Sequence, residues 1–318
     1  MRPLLSVDNL SIGFGNGTPV VRNVSFEVMP GETLALVGES GSGKTVTCRS
    51  VLRILPRAAR LHSGTIRLNG SAGSQDLTAL SERQMRNVRG NAISMIFQEP
   101  MHSLSPLHRI GNQISEVLWL HGRTREAAAK KDVLECFERV GFPDPERAWN
   151  SYPFELSGGM RQRAMIAMAM VAKPDLLIAD EPTTALDVTT QAQILDLLVD
   201  LAREDDMGLM IITHDLAVVA SMANRIAVMQ HGRIVETGET SALLDAPQHL
   251  YTKALFAASS HHVTLPDTVE AEPLLKVQNV IRDYPLPRTA LFRHPGQMRA
   301  IDRVSFDIQR GARVGLVG

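Results

Sequence analysis

The sequence has few aromatic residues, almost no cysteine and no net excess of either charge. Aromatic residues make up 4% of the 318 residues, so we expect a core built mainly from aliphatic side chains and methionine. Cys48 and Cys136 are too few and too far apart for a disulfide framework, and they fit a reducing compartment. The balance of 33 basic against 34 acidic residues gives no sign of nucleic-acid binding by bulk electrostatic attraction.

Long apolar runs are also missing. No stretch approaches the roughly 18 apolar residues that a membrane helix requires. The first residues, MRPLLSVDNL, lack the apolar segment of a secretory signal peptide. We therefore expect a cytoplasmic type of protein that is linked to a membrane only through a partner.

The chain repeats part of its own sequence. Residues 4–10 (LLSVDNL) are matched by residues 274–280 (LLKVQNV), and residues 23–38 (NVSFEVMPGETLALVG) by residues 303–318 (RVSFDIQRGARVGLVG). The two copies are 270 to 280 residues apart in the sequence. A spacing this large indicates duplicated domains, because solenoid units repeat every ~20–50 residues. The small, polar and proline-containing stretch between the copies is typical of a linker.

This duplication predicts the domain organisation. We expect a complete domain in residues 1–257, a linker in residues 258–273 and the opening strands of a second domain in residues 274–318. The last residues, ARVGLVG, are expected to form a strand that leads into a turn. Gly318 corresponds to Gly38, so the second copy stops at the first glycine of the glycine-rich sequence that follows the first copy. We therefore expect a truncated form or a piece of a longer tandem protein, with a poorly packed second unit.

The complete domain alternates apolar strand patterns with helical patterns, which predicts an α/β fold with a mainly parallel sheet. Four apolar runs are expected to be strands buried on both faces: residues 33–37, 93–97, 176–180 and 209–213. Residues 189–204 are expected to form a helix, and residues 101–156, which lack strand patterns, an inserted helical subdomain.

The sequence GESGSGKT follows the first of these runs and matches the pattern G-x-x-x-x-G-K-[ST]. Its glycines allow backbone N–H groups to face phosphate oxygens at the N-terminus of a helix. We expect Lys44 to reach the β- and γ-phosphates and the Thr45 hydroxyl to bind Mg²⁺. The predicted nucleotide-binding residues of this loop are Gly38, Glu39, Ser40, Gly41, Ser42, Gly43, Lys44 and Thr45.

A second motif, LLIADE, consists of the apolar run at residues 176–180, which ends in Asp180, and the following Glu181. A buried strand would deliver two carboxylates at its C-terminal edge, where such sheets bind ligands. Asp180 is expected to hold Mg²⁺ through its water shell, and Glu181 to orient or deprotonate the attacking water. Together the two motifs predict a P-loop nucleoside triphosphatase.

The sequence LSGGMRQR resembles the signature of the ATP-binding subunits of ABC transporters, and the resemblance extends across residues 1–257. The usual signature is LSGGQ; here Met160 replaces the glutamine, while Ser157, Gly158 and Gly159 are retained. The resemblance implies the ABC type of P-loop fold, with a mainly parallel core, an N-terminal antiparallel β subdomain and a helical subdomain. It also implies ATP and Mg²⁺ as cofactors.

Further positions match the family in its usual order. Gln98 in IFQEP resembles the Q-loop residue, which would sense the nucleotide, assist magnesium binding and catalysis, and contact the membrane partner. Asp187 resembles the D-loop residue at the domain interface, and His214 the switch histidine that touches the γ-phosphate. Phe14 occupies the position where the family stacks an aromatic ring, generally tyrosine, on adenine.

The C-terminal part of the complete domain narrows the resemblance to the oligopeptide, dipeptide and nickel importers. The family pattern P-x-H-P-Y-T-x-x-L is matched by Pro247, His249, Tyr251, Thr252 and Leu255, with Leu250 in place of the second proline. The second copy points to the tandem kind, as in the glutathione and microcin-type peptide importers.

This resemblance implies an ATPase that energises import of peptides or related small solutes at the cytoplasmic face of the bacterial inner membrane. Its partners would be two transmembrane permease subunits, an extracytoplasmic solute-binding protein, and a second ATPase domain or a second copy; nucleic acid is not among them. Each ATP would lie between the Walker loop of one domain and the signature of the other. The solute stays open between peptides, glutathione, nickel and opine-like compounds.

Two rival classes fit the same ATPase motifs. Tandem ABC ATPases that act on the ribosome join their domains through a long, charged helical linker, whereas the linker here is short and has no lysine or arginine run. A repair ATPase would require a long coiled-coil insertion, and no heptad run is present. Both differences favour the transporter class.

Overall fold

A computed structural model describes residues 2–15, 17–98, 103–122, 126–183, 186–213, 215–259, 273–285 and 297–315. The chain divides into two compact units, Met1–His261 and His262–Gly318. Within the described residues, no helix is both long enough and apolar enough to span a membrane.

The first unit alternates strands and helices. Its strands are β1 (Leu5–Phe14), β2 (Val21–Val28), β3 (Thr33–Val37), β4 (Ala59–Gly70), β5 (Gly73–Asp76), β6 (Ile93–Ile96), β7 (Leu176–Asp180), β8 (Gly208–Thr213), β9 (Arg225–Gln230) and β10 (Arg233–Glu239). Its helices are α1 (Lys44–Val51), α2 (Glu82–Val88), α3 (Ile110–Leu120), α4 (Glu126–Arg139), α5 (Pro145–Asn150), α6 (Gly158–Met170), α7 (Val188–Glu204), α8 (Leu216–Met222), α9 (Thr240–Asp245) and α10 (Leu250–Ser259).

The central sheet has the strand order β10-β9-β3-β8-β7-β6 across the described residues. Its neighbours are parallel from β9 to β6, and β10 is antiparallel to β9. Leu34 and Leu36 of β3 pack into one hydrophobic core, while Ala35 and Val37 pack into another on the opposite face. The strand is aliphatic throughout because both of its faces are buried.

The sheet therefore forms the middle of three layers, as the sequence predicts. An antiparallel sheet with the order β2-β1-β4-β5 shares a core with α1 and one face of β3, β7 and β8. The opposite face of β7 and β8 packs against α3, α4, α6 and α7. The predicted strand at residues 93–97 ends one residue early, because Phe97 leaves the sheet and is 39% exposed.

Helices occupy the region between β6 and β7, and no strand occurs among its described residues. Phe137 on α4 is completely buried and meets Phe142 edge to face, with ring centroids 4.9 Å apart. This aromatic pair lies in the same core as the buried face of α6, so the helical region and the sheet share one apolar core.

The second unit contains β11 (Pro273–Pro285) and β12 (Gln297–Gln309), which pair antiparallel. Their register repeats that of β1 and β2. Val277 lies opposite Phe306 as Val7 lies opposite Phe26. An irregularity then follows each of these pairs, before Val280 and before its counterpart in β1.

The repeat extends to local hydrogen bonds. Asn9 and Asn279 both have positive φ angles, 50° and 47°. The N–H of Asn9 donates to the Ser25 hydroxyl at 2.8 Å, and the N–H of Asn279 donates to the Ser305 hydroxyl at 2.9 Å. Two strand pairs with one register and the same bulge support the interpretation of a duplicated domain.

The two strand pairs differ in burial. Leu5 and Leu10 of β1 are fully buried, whereas Leu275 and Val280 of β11 are 49% and 42% exposed. Among the described residues of the second unit, β11 and β12 have no further strand or helix to pack against. Most apolar side chains among the described residues of this unit are therefore exposed, and none is fully buried.

The third apolar run of the second unit, ARVGLVG, is predicted to be a strand, and its described part is not one. Residues 312–315 have no regular secondary structure, and the last three residues lie outside the described part of the chain. The counterpart β3 is held by hydrogen bonds to β8 and β9 on its two sides. A strand of this kind forms only when neighbouring strands satisfy its backbone groups.

Replacing Phe137 with Ala is expected to lower the free energy of unfolding by about 3–5 kcal/mol, because the change leaves a cavity in the core. Urea denaturation followed by circular dichroism measures this loss. Phe154→Ala is the matched control, since that side chain is 66% exposed and should change stability by less than about 0.5 kcal/mol. Equal effects of the two substitutions would contradict the assignment of the core.

Candidate functional site

The loop between β3 and α1 contains positions that only glycine fits. Gly38 has φ 149°, and a Cβ atom there would lie 2.1 Å from the Met229 carbonyl oxygen. Gly43 has φ 104°, and its Cβ atom would lie 3.2 Å from the Val20 carbonyl oxygen. The glycines thus allow the loop to turn tightly against β9 and the start of β2.

Lys44 begins α1 and its side chain lies inside this loop, 6% exposed. Its Nζ donates to the carbonyl oxygens of Gly38 at 2.7 Å and Glu39 at 2.9 Å. Burial lowers the pKa of Lys44, while the nearby carboxylates of Glu181 and Asp180 oppose that shift. The loop therefore surrounds a positively charged group, as a phosphate-binding loop requires.

Asp180 ends β7 beside Thr45. The Thr45 hydroxyl donates to Asp180 Oδ1 at 3.0 Å, and Asp180 is completely buried. Asp180 Oδ2 has no hydrogen-bond donor among the described residues; the nearest cation is the Arg49 guanidinium, at 3.8 Å. Burial raises the pKa of Asp180. A buried carboxylate oxygen beside a hydroxyl fits Mg²⁺, which prefers oxygen ligands and keeps most of its waters.

Glu181 follows Asp180 with φ 48°, a left-handed conformation that is uncommon for a residue other than glycine. Its N–H donates to the Ile212 carbonyl of β8 at 3.0 Å, which fixes the turn. Gln98 Nε2 donates to Glu181 Oε2 at 2.9 Å, so the ends of β6 and β7 are linked. The structure thus brings Lys44, Thr45, Asp180, Glu181 and Gln98 together at one edge of the sheet.

The signature residues lie elsewhere. Ser157 caps α6 by accepting the Met160 N–H at 3.3 Å, and Ser157 and Gly158 are exposed. A Cβ atom on Gly159 would lie 2.9 Å from Thr190 Cγ2, so α6 begins close to α7. No hydrogen bond between described residues joins Ser157, Gly158 or Gly159 to the loop at residues 38–45.

Asp187 caps α7 by accepting the Thr190 N–H at 2.9 Å. This backbone hydrogen bond is the main cause that lowers the pKa of the Asp187 carboxyl. Phe14 lies at the end of β1 and is 39% exposed. His214, the predicted switch histidine, falls outside the described residues, between the end of β8 and Asp215.

The sequence motifs did not single out two residues near the loop. Arg49 lies one turn after Thr45 on α1, and its charge approaches Asp180. The four-residue spacing of a helix is the signal that could have identified it. Tyr251 was noted only as part of a family pattern; its hydroxyl oxygen accepts the Glu39 N–H at 2.9 Å, which no local pattern predicts.

Comparison with protein families gives one matching model, described as ABC transporter, over residues 21–184. This match covers more than half of the chain and includes the loop, the signature and the Asp180–Glu181 pair. The chain belongs to the ABC transporter family. Its α/β fold, with a mainly parallel core and an antiparallel N-terminal sheet, is the ABC ATPase type of P-loop fold.

Several relatives are transport ATP-binding proteins. The peptidoglycan transport ATP-binding protein YejF of Agrobacterium fabrum is 48% identical over 100% of this chain and 58% of its own length. The glutathione import ATP-binding protein GsiA of Pectobacterium atrosepticum is 43% identical over 99% of this chain and 56% of its own. The oligopeptide transport ATP-binding protein OppD of Bacillus subtilis is 51% identical over 80% of this chain and 71% of its own.

Two solved structures show the same fold. The dimeric, post-hydrolysis structure of the ATP-binding cassette MJ0796, bound to ADP and phosphate, has a TM-score of 0.64 and 26% identity. The match covers 74% of this chain and 98% of the MJ0796 chain. The cbiO1 protein of Clostridium perfringens, part of the cbiONQ transporter complex, has a TM-score of 0.66 and 25% identity, over 77% of this chain and 92% of that one. The chain spans 58% and 56% of the lengths of YejF and GsiA.

Replacing Asp180 with Asn, in protein free of divalent ions, is expected to raise the free energy of unfolding at pH 8 by about 1 kcal/mol, because a buried charge is removed. The pKa of Asp180 is raised in the folded protein, so the folded state binds this proton more tightly than the unfolded state. Wild-type stability therefore rises as the pH falls from above the raised pKa towards the ordinary one. In urea denaturation, the gain in the free energy of unfolding from Asp180→Asn should therefore decrease over the same pH interval.

The matched control is Asp187→Asn. The pKa of Asp187 is lowered by its cap hydrogen bond, so removing its charge should not stabilise the protein at pH 8. A gain for Asp187→Asn equal to that of Asp180→Asn would show that the effect has nothing to do with burial.

Proposed function

We propose that this chain binds ATP with Mg²⁺ and hydrolyses ATP to drive the import of peptides or related small solutes. The observation that carries this proposal is a pair of hydrogen bonds at the sheet edge. Thr45, next to Lys44, bonds to Asp180, and Gln98 bonds to Glu181, the residue after Asp180. The transport ATP-binding relatives support the importer class, and their names give peptidoglycan, glutathione and oligopeptides as solutes.

Each residue of this contact has a chemical role. Lys44 and the N–H groups at the start of α1 bind the β- and γ-phosphates, while Nζ keeps its hydrogen bond to the Gly38 carbonyl oxygen. Thr45 Oγ1 and Asp180 would hold Mg²⁺, which supplies charge neutralisation between the phosphates when bound. Glu181 accepts the proton of the attacking water, and Gln98 holds the Glu181 carboxylate in position through the 2.9 Å hydrogen bond.

The remaining predicted residues complete the site. Phe14 stacks on the adenine with its exposed ring face. His214 contacts the γ-phosphate, as the family pattern implies.

The nucleotide site is completed by a second ATPase domain or a second copy of the chain. The N-terminus of α6 is exposed at Ser157 and Gly158, and these residues make no hydrogen bond to the chain's own loop among the described residues. They are therefore available to the γ-phosphate of an ATP molecule bound to another domain. Asp187 lies beside them and would contact the same interface. The dimeric form of MJ0796 supports this arrangement.

A second ABC domain would begin within this chain. The repeated register of β11 and β12, with the same bulge and the same asparagine–serine hydrogen bond, supports a second ABC domain that begins near residue 274. The linker expected at residues 258–273 is shortened at both ends, because α10 extends to Ser259 and β11 begins at Pro273. The exposed apolar side chains of β11 and β12 would be buried by the rest of that domain.

Permease subunits would dock on an apolar cavity of about 420 Å³ between the sheet and the helical region. Its lining includes Leu52, Ile93, Ile96, Val117, Met165 and Met168. Phe97 also lines it and directly precedes Gln98, so an occupant would touch the chain beside the Glu181 contact. The apolar lining suits a short apolar cytoplasmic segment of a permease, which would hold the protein at the cytoplasmic face of the bacterial plasma membrane. An extracytoplasmic solute-binding protein would deliver the solute to the permease.

Lys44→Ala is expected to weaken binding of ADP with Mg²⁺ at least about tenfold, because the buried ammonium group is lost. Glu181→Gln should retain binding and lower ATP hydrolysis at least about 100-fold, because the general base is lost. Calorimetry measures the first effect and phosphate release the second, at several protein concentrations because the site needs two domains.

Glu27→Gln is the matched control for Glu181→Gln, since the Glu27 side chain is exposed in β2 and belongs to none of the motifs. It should retain both activities. A wild-type chain that binds neither ADP nor ATP would overturn the proposal.

Phe97→Asp is expected to lower recovery of permease subunits about tenfold in affinity purification from native membranes solubilised in mild detergent, because a charge would enter an apolar contact. Binding of ADP should stay unchanged. Leu61→Asp is the matched control, because Leu61 is 40% exposed, close to the 39% of Phe97, and lies in β4. Equal recovery with both variants would contradict docking at the cavity, and ribosomal proteins in place of permeases would contradict the transporter class.

A further inference from the structure

The last helix of the first unit contacts the phosphate-binding loop directly. Tyr251, in the first turn of α10, accepts the backbone N–H of Glu39 at 2.9 Å although the two residues are 212 positions apart. This N–H belongs to the Gly38–Glu39 peptide, whose carbonyl oxygen accepts Lys44 Nζ at 2.7 Å. One peptide unit therefore joins the tyrosine hydroxyl on one side to the lysine ammonium on the other.

That peptide needs external support because glycine precedes it. Gly38 has φ 149°, in a region that other residues rarely adopt, so its own backbone preferences do not hold this orientation. Rotation of the peptide would turn the Gly38 carbonyl away from Lys44. The tyrosine hydroxyl opposes such rotation by accepting the N–H, and hydrogen bonds in a chain strengthen one another by polarisation.

The start of α10 is itself anchored to the sheet. Glu236 of β10 accepts the N–H groups of Gln248 at 2.7 Å and His249 at 3.0 Å. The Tyr251 N–H donates to His249 Nδ1 at 3.2 Å. These bonds fix the N-terminus of α10 relative to β10, which pairs with β9 beside β3.

The ring of Tyr251 adds a second anchor. Tyr251, Leu255 and Phe256 pack against the apolar cluster that contains Val37, the last residue of β3 before the loop. The side chain thus packs against this cluster with its ring and accepts a hydrogen bond from the loop with its hydroxyl. Burial raises the pKa of Tyr251, so its hydroxyl stays protonated at neutral pH.

We propose that Tyr251 is a positioning residue of the nucleotide site, which holds the Gly38–Glu39 peptide and, through its carbonyl oxygen, Lys44. This inference rests on the proposed nucleotide-binding function and assigns a task to the C-terminal helix of the first unit. The helix acts as a brace for the loop, and the loop is correctly arranged before nucleotide arrives.

Tyr251→Phe in the full chain removes the hydroxyl and keeps the ring. We expect the Kd for ADP with Mg²⁺ in isothermal titration calorimetry to rise about three- to tenfold, as the loss of one hydrogen bond predicts. The thermal midpoint should stay within about 1 °C, because the packing of the ring is retained. A residue with a merely structural role would shift the midpoint and leave the Kd unchanged.

Tyr284→Phe is the matched control, because this tyrosine lies in β11 with its ring 5.1 Å from the Arg282 guanidinium. It should change neither the Kd nor the midpoint. An unchanged Kd in Tyr251→Phe, with normal binding by the wild type, would overturn the inference and leave the proposed function intact.

Hydrogen exchange of the protein without nucleotide separates the two proposals further. The Glu39 amide should exchange at least about fivefold faster in Tyr251→Phe than in the wild type, because its acceptor is lost. This readout decides the positioning role even if the wild type binds no ADP. Equal exchange at Glu39 in the two proteins would overturn it.

Discussion

The candidate site depends on one constraint, the parallel alignment of β3, β7, β8 and β6 in a sheet buried on both faces. Parallel neighbours end at the same edge, so loops that are far apart in sequence emerge side by side. Lys44 and Thr45 follow β3, Asp180 and Glu181 close β7, and Gln98 follows β6. The hydrogen bonds between Thr45 and Asp180 and between Gln98 and Glu181 are consequences of that shared edge.

The same edge carries polar groups that burial disfavours. Lys44 and Asp180 are both buried, and burial moves the pKa of each towards the uncharged form. A protein selected for stability alone would replace them with apolar residues, so their presence at one point of the sheet is itself a sign of a binding site. The loop carbonyls, Arg49 and the Thr45 hydroxyl offset part of this cost.

Support of the site continues beyond the motifs. The antiparallel sheet meets the loop at Val20, and α10 meets it at Tyr251. Ser157 and Gly158 share no hydrogen bond with the loop among the described residues. The register and the bulge of β1 and β2 are repeated in β11 and β12.

The amino-acid sequence alone determined the α/β class, the duplication and most of the residues at the sheet edge. These features follow from local patterns: apolar runs, the spacing of glycines, and carboxylates at the ends of strands. Such patterns involve neighbouring residues only, so they can be read from the sequence without knowledge of the fold. The sequence also predicted a strand at ARVGLVG, but residues 312–315 do not form one. An apolar pattern alone is insufficient to form a strand when no neighbouring strand pairs with it.

Only the tertiary structure decided which groups meet across long sequence separations. The acceptors of Lys44, the approach of Arg49 to Asp180 and the contact of Tyr251 with Glu39 depend on helix positions set by packing. The separation of Ser157 from the loop has the same origin. Sequence spacing carries no information about these distances, because hydrogen bonds and burial are properties of atoms brought together by the whole fold.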